Sequence, residues 1–145
     1  MAISFLELQR STDGVVEPDD PVIFDTIVSS GGTDISYDTG TGEITFETAD
    51  YYFIDWFVAP SFGLPTDGSN FAIITSADDP PLTGSSHVRV SPTVGFAILN
   101  VETPGMTARL VNMSDSALTL SPAVTAKAAL AVFAVSGLNL AAPSP

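Results

Sequence analysis

The chain has 145 residues, 45% of them apolar and only 14% charged, which suits a single domain with a substantial core and argues against disorder. Seventeen acidic residues stand against Arg10, Arg89, Arg109 and Lys127, a net charge of −13 that excludes nucleic acid and disfavours an anionic membrane. With no cysteine, there is neither a disulfide framework nor a thiolate nucleophile.

The opening "MAISFLELQR" lacks the basic segment and apolar run of a Sec-type signal peptide. No stretch approaches the ~18 consecutive apolar residues of a membrane span, so no membrane insertion is expected. Residues 1–20 mix charge, Gly14 and the acidic "EPDDP", and read as an N-terminal arm or linker. From residue 21, short β-rich runs recur: "VIFDTIV", "DISYD", "EITFE", "YYFIDWFVA", "NFAIITSA", "HVRVS", "VGFAILNVE", "MTARLVNM", "ALTLS" and "AKAALAVFAV". The breaks carry "SSGG", "TGTG", "LPTDGS", "DDPP" and "TPG", residues suited to positive or preset φ at turns. About ten short strands at this spacing predict an all-β antiparallel sandwich or jelly roll over residues 21–136, with 137–145 as a frayed tail. Alanine and leucine between Ser121 and Ala142 favour a helix by propensity, yet "LAVFAV" has no polar face, so a last buried strand is expected there.

In a two-sheet sandwich each strand normally turns one face to the core and one to water, and "HVRVS", "DISYD" and "EITFE" alternate accordingly. "YYFIDWFVA", "VGFAILNV" and "LAVFAV" are apolar on both faces and need a second cover. A neighbouring subunit is the economical one, because contiguous exposed apolar patches mark interfaces. The small residues Ala97, Ala129, Ala131 and Ala134 suit close approach of sheets near a symmetry axis.

The hairpin residues Tyr37, Asp38, Gly42, Ile44, Thr45 and Phe46, followed by Tyr52, Ile54 and Trp56 on one aromatic strand, give the chain a family resemblance. It resembles C1q-like domains of the tumour necrosis factor-like (TNF-like) jelly-roll superfamily, with Asp50 where the family has glycine. Within that superfamily it is most similar to the C-terminal domains of bacterial collagen-like surface glycoproteins of the spore exosporium, although no Gly-X-Y tract is present. The resemblance spans about Pro21 to Val135 and implies a homotrimer. It places Phe24, Tyr52, Ile54, Trp56 and Val58 in the core, and Tyr51, Phe53, Asp55, Phe57, Ala129, Ala131 and Phe133 at the trimer interface.

Few residues suggest chemistry. Asp55 in an apolar strand has no acid or base partner nearby in sequence and reads as a polar interface residue rather than a catalytic carboxylate. His87 is the single histidine and lacks a "GxSxG" elbow, so it reads as a surface residue. One histidine and no cysteine disfavour a zinc site. Asp34, Asp38 and Glu43 amid glycines, and Asp78 with Asp79, invite a calcium reading, but the spacing is not that of an EF-hand and solvated acidic turns are expected. Asn112-Met113-Ser114 matches the short N-x-S acceptor pattern, for which chance suffices. The expected function is non-enzymatic, without cofactor or metal, and the resemblance implies a trimeric head on a bacterial or spore surface, extracellular, mediating assembly or contact. The alternative is a head recognising a protein or carbohydrate ligand through "APSFGLPTDGS" and "ADDPPLTGSS".

Overall fold

The computed structural model describes residues 3–61, 69–77, 81–86 and 92–138. They form two five-stranded antiparallel sheets and a two-stranded accessory sheet, and the only helical piece among them is a 3-10 turn, Val135–Leu138. The inner sheet has the spatial order β3 (Thr26–Gly31), β1 (Phe5–Arg10), β12 (Ala128–Ala134), β6 (Asp50–Val58), β9 (Thr93–Val101). The outer sheet runs β4 (Ile35–Asp38), β5 (Glu43–Phe46), β10 (Met106–Asn112), β7 (Ser69–Thr75), β8 (Leu82–Ser86). The short strands β2 (Val15–Val16) and β11 (Leu118–Thr119) pair with each other. This crossing order of non-consecutive strands is a jelly roll, as the strand count and turn spacing predict.

Alternation along each strand builds the core. On β6, Tyr52, Ile54, Trp56 and Val58 point into the sandwich and are essentially without solvent contact. From the outer sheet they meet Ile44, Phe46, Phe71, Ile73 and Leu110 in one cluster. The Phe46 and Tyr52 rings lie 4.5 Å apart, and the Tyr52 hydroxyl donates to the Thr48 carbonyl at 2.7 Å. Burial foremost, with Asp34 and Asp50 nearby, pushes that phenol up to about 12. Gly95 faces Trp56 across the β6–β9 pair, where a Cβ would overlap the indole ring. Gly42 turns the β4–β5 hairpin with φ +76°, a left-handed conformation that glycine adopts without a steric penalty.

Three expectations need correction. The segment read as an arm carries β1, which lies between β3 and β12 and buries Leu6 and Leu8. Its charges obscured a two-residue alternation in which Glu7 and Gln9 take the outward positions. The run "VIFDTIV" is not one strand: Val22 and Phe24 are buried on an irregular crossing segment, and β3 begins only at Thr26. Ala97 and Ala134 do not line an outward surface; Ala134 is buried and Ala97 packs against the core. "HVRVS", with His87 and Arg89, lies outside the described residues, as do Asp78, Asp79 and 139–145.

Candidate subunit interface

The three doubly apolar strands predicted from sequence are neighbours, β12–β6–β9, in the inner sheet. Registers align their outward side chains in rows: Phe133, Phe53 and Ile98; then Ala131, Asp55 and Phe96; then Ala129, Phe57 and Val94. Tyr51 closes the face beside Asn100. Exposure is 55% for Tyr51, 61% for Val94, 73% for Phe96 and 63% for Ile98, while Phe53, Phe57 and Phe133 are half-buried. The Phe53 ring stacks on Phe96 at 6.2 Å and tilts against Phe133 at 5.4 Å. Pairs in this geometry add attraction beyond area burial, so the face is already packed laterally.

Tyr51, Phe53, Asp55, Phe57, Ala129, Ala131 and Phe133 thus share one surface, and Phe24, Tyr52, Ile54, Trp56 and Val58 are buried behind it. The individual residues Val94, Phe96 and Ile98 were missed. Their strand was marked as apolar on both faces, but Gly95 and Ala97 on its inner side left no register to sort its residues by face.

The acidic turns are occupied by structural hydrogen bonds. Asp34 accepts from the Ser4 and Thr48 hydroxyls, each at 2.7 Å, and these bonds hold its carboxyl below the usual range. Asp38 accepts the Gly40 N–H at 2.7 Å within its own turn. No three His, Cys, Asp or Glu side chains converge as a metal site among the described residues. Asn112 is fully buried, and its amide donates to the Val16 and Ser116 carbonyls, so the N-x-S acceptor faces the interior.

Asp25 is a tie that sequence reasoning missed. Its carboxylate accepts from Ser11 N–H and hydroxyl, Thr12 N–H and hydroxyl, and the Thr26 hydroxyl, fastening the turn after β1 to the start of β3. Burial alone would raise this carboxyl, but the bonds from Thr26, Thr12 and Ser11 outweigh it and hold the group far below the ordinary range. The signal was a Ser-Thr pair and a distant Asp-Thr pair, which only the fold brings together. A cleft of about 640 Å³ opens between the sheets beyond β9, lined among others by Thr75, Leu82, Asn100, Glu102 and Met106.

No protein-family model and no curated protein matches this sequence. Solved structures do. The globular domain of zebrafish complement 1qA superposes with a TM-score of 0.70 at 12% identity, covering 91% of this chain and 97% of that one. Murine APRIL gives 0.67 at 12% identity, with 92% and 99% covered. The PRD1 vertex protein P5 gives 0.61 at 13% identity, with 90% and 96% covered. The fold is a C1q/TNF-like jelly roll. At these identities the likeness speaks for the fold alone. Among the described residues, no helix is long and apolar enough to cross a membrane.

Proposed function

We propose that the chain is a non-enzymatic C1q/TNF-like module that functions as a homotrimer, its inner sheets packed around a threefold axis. The observation that carries this reading is the continuous outward face of β12, β6 and β9, where Phe96, Ile98 and Val94 are the most exposed apolar residues of the three strands. Leaving several such side chains wet forgoes roughly 1.5–3 kcal/mol each, a large share of the ~5–15 kcal/mol stability of a domain. Further copies of the chain carry equally apolar surfaces with which to cover this one, and the trimer implied by the family resemblance buries this sheet.

The module's role is that of a head on a surface or appendage assembly, on a bacterial or spore surface as the sequence resemblance implies, where a stable trimer mediates assembly or contact. A second reading, a head that binds a protein or carbohydrate ligand, draws on the cleft between β7, β8 and β9, lined by Ala77 and Leu82 of the "ADDPPLTGSS" segment, whose "LTGSS" half is strand β8 and not the loop expected from sequence. Light scattering on purified protein tests the first reading. A mass three times that of the 15.1 kDa chain is expected, and the monomer mass would overturn it. A glycan or protein array with loop variants tests the second.

A further inference from the structure

The apolar face contains one charge at its centre. Asp55 is exposed on β6 between Phe53 and Phe57, and its register neighbours are Ala131 of β12 and Phe96 of β9. Among the described residues, the groups that share the face with it supply no cation. β12 offers Ala129, Ala131 and Phe133; β9 offers Val94, Phe96, Ile98 and Asn100; β6 adds Tyr51. Beyond Ala131 in the same row, β1 contributes Glu7, a second negative charge, with Gln9 in the next row and Ser29 of β3 beyond Glu7.

The described cations are committed elsewhere. Arg10 donates to the Thr12, Ile23 and Asp13 carbonyls and lies 3.9 Å from Asp25. Lys127 is buried, donates to the Val124 carbonyl at 2.6 Å and pairs with Asp13 at 3.3 Å. Arg109 lies on the outward side of β10, in the other sheet. Packing this face against second copies of itself therefore brings carboxylates together in an apolar setting. Desolvating a charged carboxylate without a partner costs several kcal/mol, and like charges add to the cost. Protonation removes the charge and gives the group a hydrogen-bond donor.

We propose that Asp55 makes subunit association proton-coupled, so that the trimer tightens in acid and loosens toward neutrality. The inference rests on the trimer reading above. Its sign follows from linkage: the associated state holds more protons than the separated subunits, so the association constant rises as pH falls, roughly tenfold per pH unit for each proton taken up. The diffuse repulsion of a −13 chain has the same sign but is screened by salt, and removing one surface charge barely alters it.

The test is sedimentation equilibrium of the full chain in about 0.5 M salt, where the Debye length is only a few Å. Wild type, Asp55→Asn and Asp115→Asn are compared at about pH 7.5 and about pH 5.5, both above the ordinary carboxylate range. Asp115 is an exposed loop residue and controls for the loss of one charge. The wild type should associate at least about tenfold more tightly at the lower pH. Asp115→Asn should keep that slope, and Asp55→Asn should be tight at both pH values. Asp55→Ser, with a smaller side chain, should remove the slope as well. A wild-type trimer indifferent to pH would overturn this inference and leave the trimer standing. Weakening by Asp55→Asn would also overturn it, because it would show that the carboxylate meets a cation of another subunit. A monomer at both pH values would remove the trimer and this inference together.

Discussion

The two sheets of this sandwich turn very different rows of side chains outward. The inner sheet presents Phe133, Phe53 and Ile98 side by side, whereas the corresponding face of the outer sheet presents Ser36, Thr45 and Thr107. Both sheets obey the same alternation and share one core, so the difference lies in what each expects beyond its outer surface. One row is chemically suited to water; the other is suited to a protein.

That contrast can be broken from the inside first. Trp56→Ala removes the largest side chain supporting the apolar strand from behind and should cost about 3–5 kcal/mol, read as the loss of a chemical denaturation midpoint at unchanged m-value. Next, Phe53→Asp and Phe57→Asp place a carboxylate on the apolar face. Each should reduce the solution mass to that of the monomer while the fold persists, because an unpaired buried charge costs several kcal/mol only once the face is covered. Circular dichroism and light scattering on the same sample separate the two events.

A smaller effect is expected at the tie that holds β3 in place. Asp25→Ala leaves five donors without their acceptor and should destabilise by about 2 kcal/mol in thermal or denaturant unfolding. Because the folded-state carboxyls of Asp25 and Asp34 are held below their ordinary value, they stabilise the fold above the unfolded pKa of about 3.9. This stability is lost as pH falls below that value, so acid unfolding should begin only below about pH 3.9. The smallest effect belongs to the polar row. Thr45→Asp should leave the mass unchanged and shift stability by no more than about 0.5 kcal/mol, the usual size for a surface change. Equal losses of association at Thr45 and Phe53 would mean that the two outward faces have been assigned the wrong roles.

Much of this contrast was legible in the amino-acid order. The step between Tyr52-Ile54-Trp56-Val58 and Tyr51-Phe53-Asp55-Phe57 is a period of two, and any flat strand must sort those residues onto opposite faces. The hairpin at Gly42 was legible because its backbone needs a residue tolerant of positive φ. β1 was hidden because Glu7 and Arg10 made a half-exposed strand look like a solvated arm; outward charges on an inner-sheet strand are meaningful only once its neighbours are known. The irregular course of Val22 and Phe24 was hidden for a related reason. Apolar residues on a crossing segment can be buried without a ladder, and here the Tyr37 hydroxyl takes the place of a strand neighbour, accepting from Phe24 N–H at 2.8 Å and donating to its carbonyl at 3.1 Å. Asp25 depends on contacts across the fold that local order does not encode.

The pairing of β1 with β12 also fixes how the module can bear load. Phe5, at the start of β1, is opposite Phe133, near the end of β12, so chain entering the first strand and chain leaving the last do so at the same pole of the sandwich. A pull that separates those two points would open the β1–β12 ladder one rung at a time, beginning at the Phe5–Phe133 pair. A pull that draws on both points together puts no shear across that ladder and instead loads, in parallel, the rungs that join the pair to β3 and β6. Mechanically, the module behaves as a zipper toward forces that part its ends and as a rivet toward forces that draw on them as one.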